Sequence, residues 1–239
     1  MSARPAIALE QVYLGWSDRL AVRDLSGVFE HGSKTAVVGP NGAGKSTLIK
    51  ALMGQLAPLR GRIRLSPQAQ DDRVCMPQTG SLDSSFPITV RDLVAMGAWR
   101  RVGPWRGYGS DEHARIDRAL VQVGLPDFGA RFIETLSGGQ LQRALFARLI
   151  VHDAQVVVLD EPFAAVDSAT TQDMLVILDQ WHAQGRTLIV VLHDLELVHA
   201  HFPQTLLLAG QQIAWGPTAQ ALTAENLHLA RHLCARDFA

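Results

Sequence analysis

Cysteine is scarce in this chain: Cys75 and Cys234 are the only two in 239 residues. They lie far apart without metal-ligand spacing, which speaks against a disulfide framework or a thiolate metal site and fits reduced thiols in a cytoplasmic protein. An excess of either charge is also missing, with 22 Lys and Arg against 23 Asp and Glu. Without a basic field to grip phosphates, nucleic acid is not an expected partner. Long apolar runs are absent too. The richest stretches, residues 187–192 and 205–209, have the length of strands, far short of the ~20 residues a membrane helix needs. Residues 1–10 lack the charged start and apolar run of a secretory signal, so any membrane role requires a partner. No heptad run, low-complexity tract or internal repeat interrupts the chain.

What is present is a 47% hydrophobic composition, enough for one large domain carrying an insertion. Residues 7–12 and 34–38 read as strands, with Gly32 and Ser33 turning into the second. That second strand runs straight into a glycine-rich loop, after which residues 47–53 read as a helix that Gly54 stops. From residue 84 to 135 the texture becomes helical. Thr89 and Asp92 suit the start of a short helix ending near Gly97, and Ser110 is expected to cap a longer one with the stripe Ile116, Leu120, Val123, stopped by Gly124 and Pro126. Residues 73–76 and 156–159 then read as strands, Ser168 opens a helix closed by Gly185, and 187–192 is a further buried strand. The tail makes a hairpin around Gly210, and Thr223 caps a last amphipathic helix. Strand and helix alternate as in a parallel sheet.

The loop Gly39-Pro40-Asn41-Gly42-Ala43-Gly44-Lys45-Ser46 fits the phosphate-binding pattern G-x-x-x-x-G-K-[ST]. Its glycines let backbone N–H groups close around phosphate oxygens, Lys45 reaches the β- and γ-phosphates and Ser46 offers a hydroxyl to Mg²⁺. The expected nucleotide contacts are Gly39, Asn41, Gly42, Gly44, Lys45, Ser46 and Thr47. A plain glycine turn with a solvated lysine is the rival, and the strand before and helix after the loop weigh against it. Val156-Val157-Val158-Leu159-Asp160-Glu161 brings a second half-site. A buried strand delivers Asp160 at its carboxyl end, suited to Mg²⁺, and Glu161 adds a base for the water that attacks the γ-phosphate. Helix caps before Pro162 are the alternative, but two adjacent acids at the end of an apolar strand are costly unless charge or water compensates them.

Leu136-Ser137-Gly138-Gly139-Gln140 reads locally as a capping box, Ser137 with Gln140, ahead of the stripe Leu141, Leu145, Leu149. Consecutive glycines in a first helical turn are poor for stability, yet they bare N–H groups at the positive end of the helix dipole, which suits a second phosphate.

With these motifs the chain resembles the ATP-binding cassette family, whose signature is the L-S-G-G-Q at residues 136–140, and the likeness spans nearly the whole length. The resemblance implies an α/β P-loop NTPase fold, with a mainly parallel sheet and an N-terminal antiparallel β-subdomain. It implies one domain over residues 1–239 with a helical subdomain at about 84–150. It also implies that Gln78 senses Mg²⁺, that Trp16 stacks on adenine, that Asp167 is the D-loop aspartate and that His193 is the switch histidine. Leu192 departs from the small polar residue that relatives often carry before that histidine. In the family reading two copies face head to tail, the P-loop of one and Ser137, Gly138, Gly139 and Gln140 of the other enclosing each ATP.

The function that follows is a MgATP-hydrolysing subunit of a membrane transporter. It would sit on the cytoplasmic face, held by a transmembrane permease, with an extracytoplasmic solute-binding protein in the full system. Segments around Phe86-Pro87-Ile88-Thr89-Val90, Val94-Ala95-Met96-Gly97 and Ala224-Glu225-Asn226-Leu227 resemble the branch that imports manganese, zinc or iron chelates. The rivals are a transporter of other cargo, a soluble cassette acting on DNA or ribosomes, and a P-loop enzyme acting on a small metabolite. The second lacks its usual coiled coil, second cassette or basic arm here, and the third gives no role to a second phosphate site. His199 with His201, and His228 with His232 near Cys234, invite a metal reading, but without a carboxylate or further ligand they read as solvated faces. Trp99, Trp105 and Tyr108 among glycines read as core or as a contact surface.

Overall fold

The computed structural model describes residues 5–16, 19–76, 86–103, 107–164 and 166–236. Gln78 and Trp105, singled out above, and the start of the helical stretch at residues 84 and 85 lie outside the described residues, as does the side chain of Cys234. In chain order the elements are β1 (Pro5–Trp16), β2 (Arg19–Glu30), β3 (Lys34–Val38), α1 (Lys45–Leu52), β4 (Arg60–Leu65), α2 (Pro67–Asp71), β5 (Arg73–Met76) and α3 (Val90–Ala95). They continue with α4 (Trp99–Val102), α5 (Ser110–Gln122), α6 (Gly138–His152), β6 (Val156–Asp160), α7 (Ser168–Ala183), β7 (Thr187–Val191), α8 (Leu195–His201), β8 (Gln204–Leu208), β9 (Gln212–Pro217), α9 (Thr218–Ala221) and α10 (Ala224–Arg236). Among the described residues no helix is long and apolar enough to cross a membrane.

The chain divides into two compact units. One comprises Met1–Cys75, Gln155–Glu161 and Trp181–Ala239, the other Met76–Ala154 and Pro162–Gln180. The first unit holds two sheets. A three-stranded antiparallel sheet runs in the order β2-β1-β4, and a six-stranded sheet in the order β5-β6-β7-β3-β8-β9. In the larger sheet β6, β7, β3 and β8 are mutually parallel, and β9 returns antiparallel on β8. Every residue of β3, β6 and β7 is buried, the condition of central parallel strands covered on both faces, and it explains their near-continuous Val, Ile and Leu.

β1 extends to twelve residues where the apolar signal covered 7–12, and β2 carries no clean alternation because bulges break the period. Gln11 and Asp24 both sit at φ 47°, and each register shift in the β1–β2 ladder re-aims the following side chains. The core of this unit joins Ile7, Leu14, Val22 and Leu25 from the small sheet to Leu48 and Leu52 of α1 and Val158, Ile189 and Leu206 of the large one. Gly54, at φ 75°, closes α1 by donating to Ala51 O at 3.0 Å, while Gln55 N reaches Lys50 O at 2.8 Å. At the far end Thr223 Oγ1 accepts from Asn226 N and caps α10.

The second unit is helical. Thr89 and Asp92 exchange both bonds of a capping box at α3. Ser110 is not the cap of α5: Gly109 takes that position without a side-chain bond, and Ser110 is the first helical residue, with Asp111 and Glu112 on the positive end of the dipole. α7 does open at Ser168, and the residue before it, Asp167, caps it, its Oδ1 accepting from Thr170 N at 2.9 Å. Ile116, Leu120 and Val123 bury the α5 stripe against α6, and Gly97 lets the chain pass close over α6. A Cβ on Gly97 would lie 2.3 Å from Arg148 O and 3.0 Å from His152 N.

Candidate functional site

The buried strand β3 feeds its last residue, Val38, into the glycine loop, and two positions of that loop accept only glycine. A Cβ on Gly39 would meet Leu208 O at 2.0 Å, and one on Gly44, at φ 95°, would meet Val22 Cγ2 at 2.4 Å and Ala21 O at 2.7 Å. Gly44 then starts α1 with no side-chain cap, leaving backbone N–H groups directed into the loop at the positive end of the helix. Lys45 is 7% exposed, and its Nζ donates to Gly39 O at 2.7 Å and Pro40 O at 3.0 Å, so a cation stands across the mouth of the loop. The surrounding cleft measures about 660 Å³ and is lined by Asn41, Gly42, Ser46, Thr47 and Glu161, with Trp16 at its rim. That volume is in the range of small-molecule sites. Trp16 is 51% exposed, an apolar ring presented to solvent, with Lys50 Nζ 5.4 Å from its centroid.

Strand order decides what faces the loop. β6, β7 and β3 are neighbours and parallel, so Asp160 and Glu161 at the end of β6, His193 just beyond β7, and the loop after β3 gather at one carboxyl edge of the sheet, where α/β sheets bind ligands. Asp160 is 9% exposed. Burial, and then the charge of Glu161, push its carboxyl above the usual carboxylate range, against the opposing pull of a hydrogen bond from Ser46 and the charges of Lys45 and His193. Glu161 sits at φ 51°, a left-handed conformation costing on the order of 1–2 kcal/mol for an L-residue. Its N–H is held by Val191 O at 3.2 Å, and one carboxylate oxygen, Oε1, contacts His193 Nε2. The hydroxyl of Ser46 bonded to a buried carboxylate, with a second carboxylate next in sequence, is a hard-oxygen set short of positive charge. That donor chemistry fits Mg²⁺. Cys75 plays no part in it: burial, then Asp160, push its thiol up to about 12, so it stays protonated and unreactive.

In the second unit Ser137 and Gln140 exchange the two bonds of the capping box, at 3.3 and 3.0 Å. The Gln140 carboxamide is thereby committed to the Ser137 N–H, and Gly138 and Gly139 open α6 with no side chain over their N–H groups. Two residues further on, Gln142, 1% exposed, donates to Pro162 O. Asp167 accepts from both the N–H and the hydroxyl of Thr170, whose bonds draw its carboxyl below the usual range.

Several contributors carried no recognisable motif. Arg19 and Arg23 line the cleft beside the phosphate loop. The β1–β2 register shifts between Leu20 and Val22, and again before Leu25, so no regular strand period on β2 could have brought the two together in sequence. His228 and His232 bring their Nε2 atoms to 3.1 Å on α10, and among the described residues no third His, Cys, Asp or Glu joins them in a metal-sized group.

Comparison with known proteins places these features in context. Residues 22–164 match the family model described as ABC transporter. Over 225 residues the chain is 36% identical to the manganese transport system ATP-binding protein MntB of Bacillus subtilis strain 168, spanning 92% of this chain and 90% of that protein. It is 38% identical over 229 residues to the zinc transport system ATP-binding protein TroB of Treponema pallidum strain Nichols, spanning 94% and 86%. Among solved structures, an inward-facing transporter described as of metal-chelate type superposes with a TM-score of 0.85 at 30% identity, spanning 96% of this chain and 90% of that one.

Proposed function

The chain belongs to the ABC transporter family and is an ATP-binding, ATP-hydrolysing subunit of such a transporter; we propose that it drives import of a divalent transition metal or its chelate, as a head-to-tail dimer docked on a permease. The observation that carries the catalytic part is the meeting of the phosphate loop, Asp160, Glu161 and His193 at one edge of the sheet. The cargo part is supported by the manganese and zinc systems to which MntB and TroB belong. An extracytoplasmic solute-binding protein and attachment at the cytoplasmic face complete this reading.

In this reading residues 1–239 form one cassette domain. Trp16 provides the stacking surface for adenine. The N–H groups of residues 41–47 and the Lys45 ammonium hold the β- and γ-phosphates, neutralising charge that grows on the transferring group. Ser46 and Asp160 hold Mg²⁺, with Gln78 as a further ligand; when bound, the ion supplies charge neutralisation at the phosphoryl oxygens. Glu161 accepts the proton of the attacking water. His193, already against Glu161, fixes that carboxylate and faces the γ-phosphate. Ser137, Gly138 and Gly139 of the second copy close over the same phosphate, so hydrolysis removes the group that bridges the two copies, and they part.

Glu161→Gln keeps the size of the side chain and one acceptor oxygen but removes the charge and the base. Turnover at saturating MgATP should fall by ~10²–10⁴-fold, the usual contribution of a general base, while ATP binding persists and an ATP-dependent dimer accumulates on size exclusion. Near-normal hydrolysis by the purified variant would sink the assignment.

A further inference from the structure

Arg143 and Thr170 belong to none of the motifs above, yet they join two of them. From α6 the Arg143 guanidinium donates to Val123 O at 3.0 Å through Nη1, and through Nη2 to Thr170 Oγ1 at 3.0 Å and Asp173 Oδ2 at 2.8 Å. A guanidinium only donates, so the Thr170 hydroxyl accepts from it and must direct its own proton elsewhere. That proton goes to Asp167 Oδ2, 2.8 Å away, while Thr170 N occupies Oδ1 at 2.9 Å. Thr170 is 5% exposed, so water does not compete well for these bonds. The carboxylate so held lies beside the first turn of α6: a Cβ on Gly139 would be 3.6 Å from Asp167 Oδ2 and 3.9 Å from Thr170 Oγ1.

This placement matters because a carboxylate is itself an anion, and the bare N–H groups of a helix N-terminus bind carboxylate as well as phosphate. An untethered Asp167 would compete for the donors of Gly138 and Gly139 and repel an incoming phosphate. We infer that Arg143 and Thr170 are positioning residues that hold the Asp167 carboxylate turned away from the N–H groups at the start of α6, keeping that turn open to the nucleotide phosphate of the second copy. The inference rests on the reading that residues 137–139 receive that phosphate. Arg143 supplies the direction, since its donation forces the hydroxyl proton toward Asp167, and Asp173 keeps the guanidinium in place.

The test uses the full chain carrying Glu161→Gln, in which the ATP-dependent dimer is expected to accumulate. Thr170→Val preserves shape and the Arg143–Asp173 pair but removes the hydroxyl, and Thr170→Ser restores it. The ATP concentration giving half-maximal dimer is read by sedimentation, and the affinity of the dilute monomer for a fluorescent ATP analogue by titration. Thr170→Val should need ~10-fold more ATP to dimerise, and Thr170→Ser within about twofold of the parent, as expected for one buried hydrogen-bonded relay, with monomer affinity unchanged in both. Parent-like dimerisation of Thr170→Val overturns the inference, and so does a matching loss of monomer affinity, which would place the effect outside the signature turn. Gly138→Asp separates the two layers of the argument. If this added carboxylate leaves dimerisation intact, the phosphate reading of residues 137–139 fails; if it blocks dimerisation while Thr170→Val does not, only the relay fails.

Discussion

Asp160 and Glu161 share one position in the sheet but face opposite problems. Asp160 is buried and its proton is held more tightly in the folded chain than in the unfolded one, so ionised Asp160 is a burden on the nucleotide-free fold. Below the unfolded value of about 3.9 the group is protonated in both states and costs nothing. As pH rises through that value and then through the raised folded one, stability is lost, and the penalty is complete above the folded value. Asp160→Asn should therefore raise the melting temperature of the chain at pH 7 without nucleotide or Mg²⁺, by ~2–4 °C for each ~1 kcal/mol in a chain of this length. The gain should shrink toward zero near pH 3, and Mg²⁺-dependent ATP binding should weaken. A melting temperature that falls at pH 7 would show that Asp160 holds the fold together instead. Glu161 carries a different cost, its left-handed backbone, which nothing in the residue sequence announces. Its identity and its neighbour to Asp160 were legible from two acids after an apolar strand, whereas its contact with His193, thirty-two positions on, exists only because β6 and β7 are adjacent.

Among the elements, the clearest sequence signals were those with strictly local causes. The capping boxes at Thr89 and Ser137 each close within four residues, so their side chains suffice to specify them. The cap of α5 was misplaced by one residue, at Ser110 instead of Gly109, because serine at the first helical position looks the same in sequence as serine at the cap, and only backbone direction separates them. β2 was obscured for a related reason, its period broken by a bulge. Gly97 shows the opposite case, a residue whose signal pointed to a helix stop while its tertiary role is close approach to α6. Replacing it with alanine puts a methyl group 2.3 Å from the Arg148 carbonyl, and the packing of α3 on α6 has to shift. Gly97→Ala should destabilise the chain by ~1–3 kcal/mol, in the range of overpacked cores, seen as a lower urea midpoint at unchanged slope. Unchanged stability would mean that the helices separate there without cost.

For the whole molecule the cargo is the statement furthest from local chemistry, since a transported metal never needs to touch this chain. Cells lacking it should grow poorly under chelation, recover with added manganese, zinc or iron, and take up less of that metal. Normal uptake of all three, with a defect in a sugar, peptide or lipid, would remove the cargo assignment and leave the ATPase intact. The sequence by itself determined the phosphate loop, the acid pair and the signature turn, because each is a contiguous run whose chemistry depends on neighbours within a few positions. It also determined the parallel core, since strands buried on both faces must be apolar throughout. Only the tertiary structure decided which residues separated along the chain meet: Ser46 with Asp160, Glu161 with His193, and Arg143 with Thr170 and through it Asp167. Hydrogen bonds between such partners have no spacing rule, because strand order and helix packing, rather than residue separation, set the distance between their ends.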